Sequence, residues 1–173
     1  MGFANSCRGL PRVLVAAYQV IRVLIDRCVR DALVSYHAAA THRLESGGLL
    51  LGYRKGADLH VIGATYPSRW DRASRVLFQR SAKGHQRMAY DAWRQSGGTV
   101  DWIGEWHTHP GGIAAPSSID LRSWSAIAAH RMAPMVFVIL DDHRQYIGVH
   151  DPFKLHRLYI VEENSEAILY DYV

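Results

Sequence analysis

Two histidines one residue apart, His107 and His109, stand inside the stretch Gly104–Asp120, GEWHTHPGGIAAPSSID, which also carries Ser117 and Asp120. On a β-strand, residues two apart face the same way, so both imidazoles can reach one ion. Pro110 has no N–H to give a ladder and ends the strand. Ser117 and Asp120 are three apart at the start of an apolar-periodic run, which places them on one face of a helical turn. Two ring nitrogens and a carboxylate converging on one point are the ligand set of a catalytic zinc, with the fourth position open. A His-x-His pair alone is common chance pattern in a chain with ten histidines. The aspartate at the next helix start, the serine a turn before it and the Gly111-Gly112 loop between raise the pattern above chance.

A zinc site that hydrolyses amides also needs a carboxylate to move protons. Two glutamates qualify by position. Glu105 lies two residues before His107 and shares its strand face, and Glu45 sits just ahead of the glycine-rich stretch Gly47–Gly52. Spacing leaves the two open. Ser117 suits the donor to a developing oxyanion, or else a helix N-cap.

The elements that must position these groups follow from periodicity. Tyr18–Leu24 reads as a strand, and Asp26 opens a helix to about His42 with Val29, Ala32, Leu33 and Tyr36 at helical spacing. Leu49–Tyr53 and Leu59–Tyr66 read as strands joined by the turn Lys55–Asp58. Helices are expected over Ser81–Ser96 and Ser117–Ala133, with the ligand-bearing strand at Val100–Thr108. His37, His42 and His85 read as surface or packing residues. Met135–Leu140 is apolar without alternation, as in a strand buried on both faces. Tyr146–Val149, Leu155–Glu162 and Ala167–Tyr172 complete the strands. The order predicts one α/β domain over residues 12–173, a curved mixed β-sheet sandwiched between α-helices, after a flexible terminus over residues 1–11.

Composition narrows the class. A length of 173 residues, 49% hydrophobic and 21% charged, suits one globular domain. The net charge of +4 comes with no Lys/Arg block of the kind that marks a nucleic-acid tract. The apolar run Val13–Ile25 is too short to span a bilayer and is interrupted by Gln19 and Arg22, so no membrane is expected. Cys7 and Cys28 form no disulfide framework, which fits a reducing, cytoplasmic setting.

The whole pattern, Glu45 before a glycine-rich strand, then His107-x-His109-Pro110, seven residues, and Ser117-x-x-Asp120, resembles the signature of the JAMM (JAB/MPN) zinc metalloprotease family. The resemblance implies Glu45 as the proton-moving base, His107, His109 and Asp120 as zinc ligands, and Ser117 as oxyanion donor. It also implies that Arg75, Val76, Leu77, Phe78 and Gln79 form an edge to which a substrate tail adds as a strand, with Gly111 and Gly112 at the approach. The implied substrate is a ubiquitin-like protein or its conjugate, cut after its C-terminal glycine. The GEWHTHP form is similar to bacterial members that accompany E1- and E2-like enzymes in antiphage or mobile-element pathways. A sulfur-carrier hydrolase and a non-catalytic MPN scaffold are the alternatives, the latter disfavoured by the intact ligands. A zinc deaminase is excluded by the missing Pro-Cys-x-x-Cys segment.

Overall fold

The computed structural model describes residues 21–40 and 44–172. The expected flexible 1–11 segment, the strand over residues 18–20 and the helix end at His42 lie outside them. In chain order the elements are β1 (Val23–Asp26), α1 (Arg27–Ala39), β2 (Gly47–Lys55), β3 (Asp58–Ala64), β4 (Arg72–Ala73), β5 (Phe78–Gln79) and α2 (Ala82–Gln95). They continue with β6 (Asp101–Thr108), α3 (Ser118–Arg131), β7 (Met135–Leu140), β8 (Gln145–His150), β9 (Leu155–Glu163) and β10 (Ala167–Asp171).

The mixed α/β character matches expectation, but the sheet does not stay open between helices. Eight strands close in the order β1-β10-β9-β8-β7-β6-β2-β3, with β4 and β5 as a separate hairpin. β1 makes the closure, antiparallel to β10 and parallel to β3, so the two ends of the sheet share one strand and neither is left as an edge. β1 also starts later than expected and runs through Asp26, whose carboxylate takes His60 Nε2 at 2.7 Å instead of capping α1.

Packing follows the pleat. Val23, Ile25, Leu59, Val61, Val136, Val138, Ile147, Val149 and Ile168 fill one core together with Val29 and Leu33 of α1. α3 covers the other face of β7 and β8 through Trp124 and Ala128 against Phe137, Ile139 and Tyr146. α2 lays Ala89 and Ala92 against Leu49, Leu51 and Val100. Strand β7 is buried along its whole length, as its unbroken apolar run requires.

Strands β2 and β6 set the site. Gly47 pairs with His107 and Gly48 with Trp106. A Cβ on Gly48 would stand 2.0 Å from the carbonyl oxygen of Thr65, and one on Gly47 would stand 2.5 Å from that of Trp106. Only glycine lets these backbones approach so closely. Glu45 is thereby delivered beside the His107 end of β6.

Candidate metal centre

His107 is the penultimate residue of β6, and His109 follows the strand's end with its N–H on the Leu140 carbonyl of β7 (2.8 Å). The ring of His109 is oriented by its own loop, since Nδ1 lies 2.9 Å from the Ile113 carbonyl oxygen. A carbonyl can only accept, so Nδ1 carries the hydrogen and Nε2 presents a lone pair to the site. The β7–β8 turn braces this loop: Asp141 accepts from the Ala114 N–H at 2.7 Å and Asp142 from that of Gly111 at 3.2 Å. Gly111 adopts a φ of 70°, a left-handed conformation that glycine takes without strain.

Asp120 is fixed by the start of α3. Its Oδ2 accepts the Ser117 N–H at 2.7 Å, and the Ser117 hydroxyl accepts the Asp120 N–H at 3.2 Å, a reciprocal capping box. Ser117 therefore is the helix N-cap, and it lines the groove beside the trio's members as well.

His107 Nε2, His109 Nε2 and the Asp120 carboxylate converge. The two nitrogens are 3.0 Å apart, His107 Nε2 is 3.3 Å from Asp120 Oδ1, and His109 Nε2 is 3.7 Å from Asp120 Oδ2. Donors bound tetrahedrally at zinc distances stand about 3.4 Å apart, so this trio fits one ion, and among the described residues it is the one such group. Burial alone would raise the Asp120 pKa. The hydrogen bond and charge of His107, with the hydroxyl and N–H of Ser117, instead hold it far below the usual carboxylate range, so it is an anion ready to ligate.

Glu45 stands beside the trio with Oε1 3.9 Å from His109 Nε2. Burial pushes its pKa upward, and Asp120 adds to this, against the opposing pull of His107, His109 and the Phe78 N–H. Its backbone N–H donates to the Ser74 carbonyl at 2.8 Å, so the β4–β5 hairpin holds Glu45 from two sides. Glu105 does face the same groove, but its carboxylate forms an ion pair with Arg80, whose guanidinium lies 5.5 Å from the Trp102 ring centroid.

The expected substrate edge is shorter than Arg75–Gln79. Ser74 closes a turn, accepting the Val76 N–H on its hydroxyl at 3.3 Å and donating its own N–H to Leu77. Arg75 to Leu77 thus form the tip of the hairpin, and only Phe78 and Gln79 are strand. Arg75, Val76, Leu77, Phe78 and Gly112 line the groove of about 350 Å³ that contains Glu45 and the His/Asp trio, whereas Gln79 and Gly111 line neighbouring cavities.

Further residues support this site from behind. His85 is fully buried, between Thr65 Oγ1 (2.6 Å from Nδ1) and Asp71 Oδ2 (2.9 Å from Nε2). Asp71 also accepts the N–H groups of Ser68 and Ser81, both at 2.6 Å, and so anchors the two ends of the 68–81 segment. Trp124 packs edge-on to His107 with centroids 6.0 Å apart. The spacing of His85 and Asp71 offered no signal, whereas the aromatic on the buried stripe of α3 was legible.

A closed α/β barrel with this trio at a strand end defines a JAB-type domain. Residues 29–153 match the family described as prokaryotic homologs of the JAB domain, and the chain belongs to that family. The chain is 40% identical over 105 residues to a "CD-NTase/cGAS isopeptidase" of Pseudomonas aeruginosa, covering 60% of this chain and 66% of that protein, just under two thirds of its length. A protein of the same name from Escherichia coli is 34% identical over 116 residues, covering 67% of this chain and 74% of the relative. Protein DSY2949 from Desulfitobacterium hafniense, solved in solution, shares the fold with a TM-score of 0.60 at 22% identity, covering 83% of this chain and 94% of that one.

Proposed function

We propose that this chain is a zinc-dependent isopeptidase that hydrolyses the amide joining the carboxyl terminus of one protein to an amine of another. The convergence of three donor atoms within 3.0–3.7 Å, with a buried glutamate beside them in an open groove, carries this reading. His107, His109 and Asp120 would hold the zinc, which would supply the positive charge that polarises the scissile carbonyl and lowers the pKa of water toward about 7. Glu45 takes the proton from the attacking water and passes it to the leaving amine. Its burial favours that duty, because a carboxyl with a raised pKa holds the proton more readily between the two transfers. The Ser117 hydroxyl, which accepts from the Asp120 N–H, donates its own hydrogen to the carbonyl oxygen as negative charge develops there.

We infer that the tail-bearing protein is a ubiquitin-like protein or one conjugated through its C-terminus in the same way, and the relatives' name, CD-NTase/cGAS isopeptidase, supports a CD-NTase in that place. The setting we infer is the cytoplasm of a bacterium, in an antiphage pathway that conjugates with E1- and E2-like enzymes. Among the described residues no helix is long and apolar enough to cross a membrane. The reading is tested with a CD-NTase joined through its C-terminal residue to the ε-amine of a labelled lysine peptide. Purified protein is expected to cut that junction and a chelator to stop it. Zinc-loaded protein that leaves the junction intact contradicts the proposal.

A further inference from the structure

The positive charge of the chain is concentrated in one segment. Residues 67–98 hold seven of its 20 Lys/Arg against two of its 16 Asp/Glu, a balance of +5 in a chain whose total is +4. Of those two acids, Asp71 is consumed in the buried network with His85, and Asp91 lies 3.8 Å from the largely exposed Arg87 guanidinium, a loose surface pair that leaves the segment strongly positive. Lys83, Arg87, Tyr90 and Arg94 follow one another at steps of four, three and four, so they form a single exposed stripe along α2 about 16 Å long. Trp93 stacks on Tyr90 at 6.0 Å, and both rings stay about half exposed (47% and 57%).

The stripe leads to the catalytic groove. At its N-terminal end Lys83 Nζ lies 3.9 Å from the ring centroid of Trp70. Trp70 lines a second cavity, which shares Leu77, Phe78, Arg80 and Glu105 with the groove at the metal centre. Arginine, tyrosine and tryptophan on one surface are the residue types that dominate protein–protein binding energy.

From this continuity we propose that the α2 stripe is the docking face for an acidic surface of the folded protein whose tail enters the groove. The proposal rests on the isopeptidase reading above. A basic, aromatic face also suits single-stranded nucleic acid, which stacks bases on open rings. Here Trp70 lies beneath Arg69 (4.3 Å) and Lys83, and Tyr90 and Trp93 stack on each other while staying about half exposed, so the face offers one aromatic pair rather than a row of separate stacking platforms. A protein surface, which meets such groups by charge and edge packing, is the better fit.

The test compares wild type with the exposed-face variants Arg87→Glu/Arg94→Glu and Trp93→Ala. Two substrates are used: the CD-NTase conjugate described above and a short isopeptide carrying only its C-terminal tail. The variants are expected to lose at least tenfold in kcat/KM on the conjugate at 50 mM salt, through KM, and to cut the short isopeptide like wild type. The deficit of the charge variant should shrink at 500 mM salt, where charge steering is screened. Unchanged kcat/KM on the conjugate, or an equal loss on both substrates, overturns the proposal. Should wild type cut neither substrate, the isopeptidase reading fails separately. Fluorescence anisotropy of the uncut conjugate then decides the face, and variants that bind as tightly as wild type overturn it. Tighter wild-type binding to a labelled oligo-dT 20-mer than to the conjugate, lost in the variants, overturns it in favour of nucleic acid.

Discussion

Ser117 does two jobs with one hydroxyl, capping α3 through the Asp120 N–H and facing the groove. Ser117→Ala should therefore register in two assays. Loss of the cap costs about 1 kcal/mol of stability, read as a lower melting temperature. Loss of the oxyanion donor lowers kcat by roughly 100-fold with little change in KM. A normal kcat in the alanine variant would leave Ser117 as a cap alone. Glu105 separates the two glutamates that spacing left open. Paired with Arg80, it cannot accept a proton without breaking that pair. Glu105→Gln is expected to retain most of the turnover of wild type in the same peptide assay, and a loss as deep as that of a Glu45 variant would transfer the base role to it. The convergence of His107, His109 and Asp120 was legible in the sequence because three side chains within fourteen residues sit on a strand end and the next helix turn. The orientation of His109 was not, because its partner is a backbone carbonyl, which every residue has.

At the scale of elements, the Asp71–His85–Thr65 chain ties α2 to the residue just past β3 and to both ends of the 68–81 segment that brings Phe78 to Glu45. Burial alone would raise the Asp71 pKa. The N–H groups of Ser68 and Ser81 and the His85 ring outweigh it and leave the pKa below the ordinary carboxylate value. A depressed carboxylate stabilises the fold above its unfolded pKa of about 3.9, and that contribution is lost as pH falls through the lower folded value. Asp71→Ala should thus destabilise the protein by about 3 kcal/mol at neutral pH, and the difference from wild type should narrow in acid, as followed by denaturant melts between pH 7 and pH 2.5. A gap that is constant across that range would mean the carboxylate's charge is irrelevant. Nothing in the sequence announces this network, since Asp71 and His85 are fourteen residues apart with an irregular hairpin between them. The shortened β5 has a related cause: Arg75 to Gln79 has strand-like composition, but Ser74 turns the chain at its start.

For the molecule as a whole, most elements were legible from periodicity, while the closure of the sheet was not. It depends on β1 meeting both β3 and β10, pairings across roughly 36 and 145 residues that no local pattern encodes. Closure brings β2 firmly against β6 and so sets Glu45 beside the His/Asp trio. The central claim is that His107, His109 and Asp120 hold one zinc while Glu45 moves the proton without holding the ion. Zinc content and cleavage of the isopeptide, measured side by side on wild type, Glu45→Gln and Asp120→Ala, test it most directly. Wild type should carry one zinc per chain and cut the substrate, Glu45→Gln should keep the zinc and lose at least about 100-fold in kcat, and Asp120→Ala should lose both. A Glu45→Gln protein that still turns over, or an Asp120→Ala protein that keeps its zinc and activity, would contradict the account.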